Sequence, residues 1–203
     1  MSAQTFIDAL RAKQGQTASI DPNFHADTLQ GFHDSYVGDI FSERVLEGES
    51  SDLTQNPTGL GPANAAQINF GPAVGSGADP VSMDSAGTIT INESREYRIK
   101  VALQFGRTGS SQVSYILFRV LVNGVQAGRS IISKLSNADE TQYFENDTEI
   151  FLPAGATLQF QIMRDAAGNN SGGLIGFDPA VAGGAEWNTA PSAAIRVSRK
   201  MVA

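Results

Sequence analysis

Between Thr88 and Arg164 apolar and polar residues alternate with almost no break, and that pattern limits the chain to few folds. In Tyr97-Arg-Ile-Lys-Val-Ala-Leu-Gln-Phe105 every odd position is apolar, while Arg98, Lys100 and Gln104 fall between. Successive side chains of a β-strand point to opposite faces, so this segment has one buried and one wetted face. The pattern returns in Thr157-Leu-Gln-Phe-Gln-Ile-Met163. Between the two, Ile116-Leu-Phe-Arg-Val-Leu-Val122 runs into Asn123-Gly124, a pair suited to the positive φ angles of a two-residue type I′ hairpin turn. Strands are expected near 67–70, 81–84, 88–92, 96–106, 113–123, 125–133, 141–145, 148–152, 157–164 and 193–200. Many short strands separated by turn residues make an antiparallel sandwich or barrel.

Composition narrows the function classes. There is no cysteine, so neither a disulfide framework nor a thiolate metal site is available. Residues 1–66 carry nine acidic and three basic side chains, whereas 67–203 carry twelve and eleven. The β region is nearly neutral, the leader is acidic, and no basic stripe exists to neutralise phosphates, so no nucleic-acid partner is expected. Asp8, Arg11 and Lys13 interrupt what a secretory signal needs as its apolar core. No window approaches the roughly 20 apolar residues of a membrane-crossing helix. The expectation is a protein made in a cytoplasm without export and without a membrane partner.

Two parts are expected. Residues 1–66 read as an arm: Phe6, Ile7 and Leu10 lie at helical spacing, as do Leu29, Phe32, Tyr36, Ile40 and Phe41. Gly31 and Gly38 weaken the second stretch by about 1 kcal/mol each relative to Ala. From Gly48 to Ala66 the chain is rich in Ser, Gly, Asn and Pro and reads as an extended linker. Residues 67–203 read as the β domain, interrupted by a glycine-rich loop over 165–191 that holds Phe177 and the only tryptophan, Trp187. Long loops of this kind are often functional.

Catalysis is not expected. His25 and His33 are the only histidines and both precede the β domain, so no Ser-His-Asp or Cys-His set forms within it. No catalytic, cofactor-binding or metal site is assigned, and no cofactor. The acidic residues Asp139, Glu140, Glu145, Asp147 and Glu149 read as a solvated strand edge ahead of a calcium site or a carboxylate pair. The strand 115–122 is more telling. Ile116, Phe118, Val120 and Val122 make one apolar face, and Tyr115, Leu117, Arg119 and Leu121 make a second that is too apolar for water. That second face is expected to meet another subunit, with cover by the chain's own leader or by the 165–191 loop as the alternative.

The order of strands and turns resembles the globular domain of the C1q and tumour-necrosis-factor-like superfamily. The resemblance rests on Gly87 to Val101, with Tyr97 at the family's tyrosine and Arg95 where it carries glycine. It rests also on Leu117 to Gly124, on Ile150-Phe-Leu-Pro-Ala-Gly155 followed by Thr157-Leu-Gln-Phe160, and on Ala194-Ile-Arg-Val197. It spans about residues 67–201 and implies an all-β, antiparallel jelly-roll sandwich that assembles as a homotrimer. Tyr115, Leu117, Leu121 and Phe151 are the expected trimer interface. Similar trimeric jelly rolls occur in tailed bacteriophages as capsid decoration proteins and fibre heads. An arm before a jelly roll, without cysteine or export signal, is expected to be such a virion protein, decorating a capsid. Phe6, Ile7, Leu10, Phe32, Tyr36, Ile40 and Phe41 would attach it to the major capsid or other virion proteins. The alternative is a receptor- or glycan-binding fibre head that recognises a host-surface glycan through Phe177 and Trp187.

Overall fold

The structure, a computed structural model, describes residues 42–74, 80–109, 112–179 and 188–200. One sheet contains β1 (Ser42–Glu49), β2 (Thr54–Gln55), β6 (Arg95–Gly106), β9 (Thr141–Leu152), β11 (Gly173–Ile175) and β12 (Ala193–Lys200). The other contains β3 (Ala66–Gln67), β4 (Val81–Met83), β5 (Ile89–Ile91), β7 (Ser114–Val122), β8 (Val125–Leu135) and β10 (Thr157–Arg164). In the first sheet β9 runs the whole length of β6 on one edge, while β12 and β11 follow one another along the other. In the second, β7 lines one edge of β10, and β5 and β3 share the opposite edge.

The chain changes sheet at almost every connection: β5 to β6, β6 to β7, β8 to β9, β9 to β10 and β10 to β11. Among the long strands only β7 and β8 are joined as a hairpin within one sheet. This antiparallel, sheet-switching course is a jelly-roll sandwich. The hairpin turns at Asn123 and Gly124, with φ 51° and 77°, as the dipeptide requires.

Alternation places the core. Tyr97, Ile99, Val101, Leu103 and Phe105 of β6 face Ile116 and Phe118 of β7 and Leu158, Phe160 and Ile162 of β10 across the sandwich. Phe160 is the hub, edge-on to Phe70 at 5.4 Å and stacked with Phe118 at 6.4 Å between centroids. The Tyr97 ring is fully buried, and its hydroxyl donates to the Glu93 carbonyl at 2.7 Å. Burial pushes that phenol's pKa up. Gly87 is required where the chain passes the second sheet: its φ is +86°, and a Cβ there would lie 2.3 Å from the Ile68 carbonyl oxygen.

Three expectations need correction. The stretch 48–66 is no linker: residues 43–200 form one compact unit, so the domain begins well before residue 67. β1 pairs with β12, β2 with β11 and β3 with β10, and Val45 and Leu46 are core residues. The 141–145 and 148–152 segments are one continuous strand, β9. The 165–191 segment is not wholly loop, because β11 inserts Leu174 into the core beside β6.

Two of the inward-facing rows each end in a buried arginine, at the same end of the sandwich. Arg164 closes the row of Leu158, Phe160 and Ile162, and Arg107 the row that ends with Phe105. Arg164 Nε donates to the Gly172 carbonyl at 2.6 Å, and Nη1 to the Pro57 carbonyl at 2.8 Å and Asn170 Oδ1 at 2.9 Å. Arg107 Nε donates to the Asn137 carbonyl at 2.8 Å, and its Nη1 to the Gln112 carbonyl and the Ser114 and Ser171 hydroxyls. Burial lowers the Arg164 pKa from its ordinary value.

Candidate functional site

Among the described residues β9 pairs with β6 alone, which leaves it one edge without a strand partner and one outward face. Its odd residues from 143 to 151 point away from the core: Tyr143, Glu145, Asp147, Glu149 and Phe151. Tyr143 is 67% and Phe151 65% exposed, and these are the two large aromatic side chains that this face offers to solvent. Eight residue steps along the strand separate them, about 27 Å at the rise of an antiparallel strand.

Cations from β6 and β12 neutralise the acids between these rings. Asp147 is opposite Lys100 and Glu149 opposite Arg98 in register, yet the ion pairs run diagonally. The Arg98 guanidinium reaches Asp147 at 2.9 Å, and Lys100 Nζ reaches Glu145 at 2.9 Å. Lys200 on β12 takes Glu149 at 2.7 Å, and Arg196 takes Glu47 of β1 at 2.7 Å. Diagonal neighbours on one sheet face lie within reach of long side chains. Exposed pairs of this kind contribute about 0–1 kcal/mol each; their larger effect is to leave the middle of the face locally neutral.

The carboxylate pKa values move accordingly. A hydrogen bond from Lys100, and then one from the Tyr143 hydroxyl, lower that of Glu145. The hydrogen bond from Arg98 lowers that of Asp147, and the one from Arg196 lowers that of Glu47. Glu140 is held low by the backbone N–H groups of Asn137 and Ser136. Groups with depressed folded-state values stabilise the fold above their unfolded pKa, and that stabilisation disappears as pH falls through the folded value. Stability is therefore expected to be level above about pH 5 and to decline below about pH 4, where free Glu and Asp titrate. Thermal unfolding followed between pH 7 and 2.5 checks this, with Asp147→Asn giving a shallower decline. A melting temperature that rose on acidification would contradict it.

The acidic run from 139 to 149 is thus engaged in ion pairs and turn hydrogen bonds, with Asp139 Oδ1 accepting the Gly109 N–H at 3.2 Å. Among the described residues no three side chains of metal-ligating type come together.

The four residues expected at a trimer interface do not share a surface. Phe151 lies on the outward face of β9, while Tyr115, Leu117 and Leu121 lie on the outward face of β7 in the other sheet. A free protomer was expected to expose those three. Instead Leu121 is 6% exposed, and Tyr115 and Leu117 are half-buried. Leu117 shares a small groove with Pro62 and Ala65, so the chain's own 60–65 stretch flanks this face, pinned where the Gly61 N–H bonds to the Arg164 carbonyl at 2.8 Å. Phe177 is 63% exposed and forms a β-bridge with Ala190. Phe6, Ile7, Leu10, Phe32, Tyr36, Ile40, Phe41 and Trp187, like His25 and His33, lie outside the described residues. Tyr143 was missed. Reading 141–152 as one strand would have placed it on the face of Phe151.

No protein-family model matches this sequence, and no curated protein matches it. Among solved structures the chain is similar to Eiger TNF from S. frugiperda, at 11% identity, over 80% of this chain and 95% of that one, with a TM-score of 0.41. That likeness concerns architecture alone, and the jelly-roll course stands on the strand pairings themselves.

Proposed function

We propose that this protein is a non-enzymatic structural component of a tailed-bacteriophage virion. It acts as a homotrimeric capsid decoration protein held to the particle through its N-terminal segment. The observation that supports self-assembly is the outward face of β9, where Tyr143 and Phe151 stand two-thirds exposed at either end of an internally neutralised ladder. Large aromatic side chains of this kind are what interfaces bury at their centres. The ion-paired strip between them needs no new counter-charge from a partner, so a second copy can cover it without stranding a charge. The virion setting is supported by the resemblance of the sequence to trimeric phage jelly rolls.

Sedimentation equilibrium at micromolar concentration tests the assembly. A trimer is expected, and Phe151→Asp should weaken each subunit contact by about 2–4 kcal/mol, roughly 30- to 1,000-fold. A monomeric wild-type protein would refute the reading. Binding to purified capsids that lack the protein tests the location. Phe177, exposed beside Asp178 and Thr189, whose side chains share a 3.0 Å hydrogen bond, favours a glycan-binding head as the second reading. Saturable binding of host glycans without capsid binding would decide for it.

A further inference from the structure

The sandwich is open along the edge where β8 and β9 face each other. β7 pairs Phe118 with Ile131 and Val120 with Ala127, so two steps along β7 are matched by four along β8. The surplus forms a bulge at residues 128–130, where Gly128 holds φ 71°. Bulges bend a strand and re-aim its side chains, and they concentrate next to functional sites. This one lies on a strand whose other edge has no partner among the described residues.

Across from the bulge, β9 turns Asn146 and Thr148 to its inward side, between Phe144 and Ile150, which pack against the core. Asn146 is half-buried and Thr148 exposed, which puts the pair at the mouth of this edge. Asn146 Nδ2 donates to Thr148 Oγ1 at 2.9 Å, which leaves further hydrogen-bonding capacity on both. Behind them is a cavity of about 300 Å³ walled by Phe118, Val120, Leu158 and Phe160. Arg129, carried on the bulge, lines the same cavity and is exposed, with no acid or hydrogen-bond partner among the described residues.

An apolar interior, two neutral polar groups and one unpaired guanidinium at the mouth suit a particular chemistry. The hydrocarbon wall selects an aliphatic tail, and the guanidinium selects a carboxylate head, which it can grip with two parallel N–H donors. The volume is at the lower end for ligand pockets, which suits a medium-length chain. Addition of a peptide strand is disfavoured here, because the bulge and the positive φ of Gly128 break the ladder such a strand would continue. We propose that this cleft binds one medium-chain aliphatic carboxylate per chain, with its tail between the sheets and its head at Arg129, Asn146 and Thr148. The site is separate from the outward face of β9 and does not depend on the assembly reading.

Calorimetric titration of the full chain with octanoate and decanoate, below their micellar concentrations, tests the proposal. One saturable site per chain is expected, tightening about threefold to fourfold per added methylene. Decyltrimethylammonium should bind at least about tenfold more weakly than decanoate. Arg129→Glu, a change at an exposed position, should weaken decanoate at least about tenfold while leaving the thermal unfolding curve in place. Val120→Trp should abolish binding of both acids by filling the cavity, and where that variant fails to fold the arginine variant alone decides. Absence of saturable decanoate binding would overturn the proposal. So would equal binding of the acid and the ammonium compound, or decanoate affinity indifferent to Arg129→Glu, since each would mean partition onto apolar surface without head-group recognition.

Discussion

Replacing Arg164 with methionine is expected to destabilise the domain by about 3–5 kcal/mol, a loss comparable to breaking a buried ion pair. The side chain is 7% exposed and donates to three acceptors: the Pro57 and Gly172 carbonyls and Asn170 Oδ1. Two of the three are backbone groups that no substitution removes. Left without a donor, each buried acceptor costs about 1–3 kcal/mol. Methionine fills much of the volume and removes the penalty of burying a cation, which offsets part of the sum and keeps the expected loss within the stated range. Lysine retains the charge but cannot fork to three acceptors in fixed directions, so Arg164→Lys should fall between the two. Urea unfolding monitored by circular dichroism measures the loss directly, and the methionine variant should melt lower by about 10 °C. A loss under about 1 kcal/mol would show that these acceptors find water once the arginine is gone.

Arg164 also shows how far a sequence of this kind can be read. In the row Leu158, Phe160, Ile162, Arg164 the period-two pattern continues through the arginine, so its inward direction was legible even though its charge argued for solvent. Arg107 closes the row from Tyr97 to Phe105 in the same way. Both arginines donate to carbonyls of the loops that close this end of the sandwich. The hairpin at Asn123 and Gly124 was legible for a different reason, since the turn chemistry is local and needs no tertiary partner.

Other elements were hidden because their cause is not local. In β1, Val45 and Leu46 are adjacent and both buried, which breaks the alternation. What makes that segment a strand is β12, some 150 residues further on. β9 read as two pieces because Asn146 and Asp147, a pair common in turns, fall between the segments 141–145 and 148–152, and the break hid Tyr143 as a neighbour of Phe151 on one face. Asn146 also borders the cleft beneath Arg129, together with Thr148. Leu121 was misjudged in the opposite sense. Its apolarity was plain, but its cover within the protomer depends on contacts that β-strand parity cannot supply.

A chain lacking residues 1–66 is expected not to fold, whereas one lacking 1–41 is expected to fold as a cooperative jelly roll. The difference lies in what residues 42–66 contribute. Val45 and Leu46 are 6% and 2% exposed, and burying two such side chains is worth about 1.5–3 kcal/mol each. The Ser50 N–H bonds to the Ala193 carbonyl at 2.9 Å, tying β1 to the start of β12. Gln55 links three parts of the first sheet's surroundings, with Nε2 donating to the Asn69 carbonyl at 2.9 Å and Ser192 Oγ at 3.0 Å, and Oε1 accepting the Asn69 N–H at 2.8 Å. Pro57 supplies one of the acceptors that hold Arg164. Removing all of these together exceeds a large part of the about 5–15 kcal/mol that separates a folded domain from its unfolded chain. Near-ultraviolet circular dichroism and thermal melting of the two truncations make the comparison. A cooperative, native-like melt from the chain lacking 1–66 would show that the 42–66 segment is an appendage and that the domain begins near residue 67 after all. The shorter truncation then isolates the role proposed for the N-terminal segment, because its product should form the assembly but no longer bind capsids. Undiminished capsid binding by that product would move attachment from the N-terminal segment onto the sandwich itself.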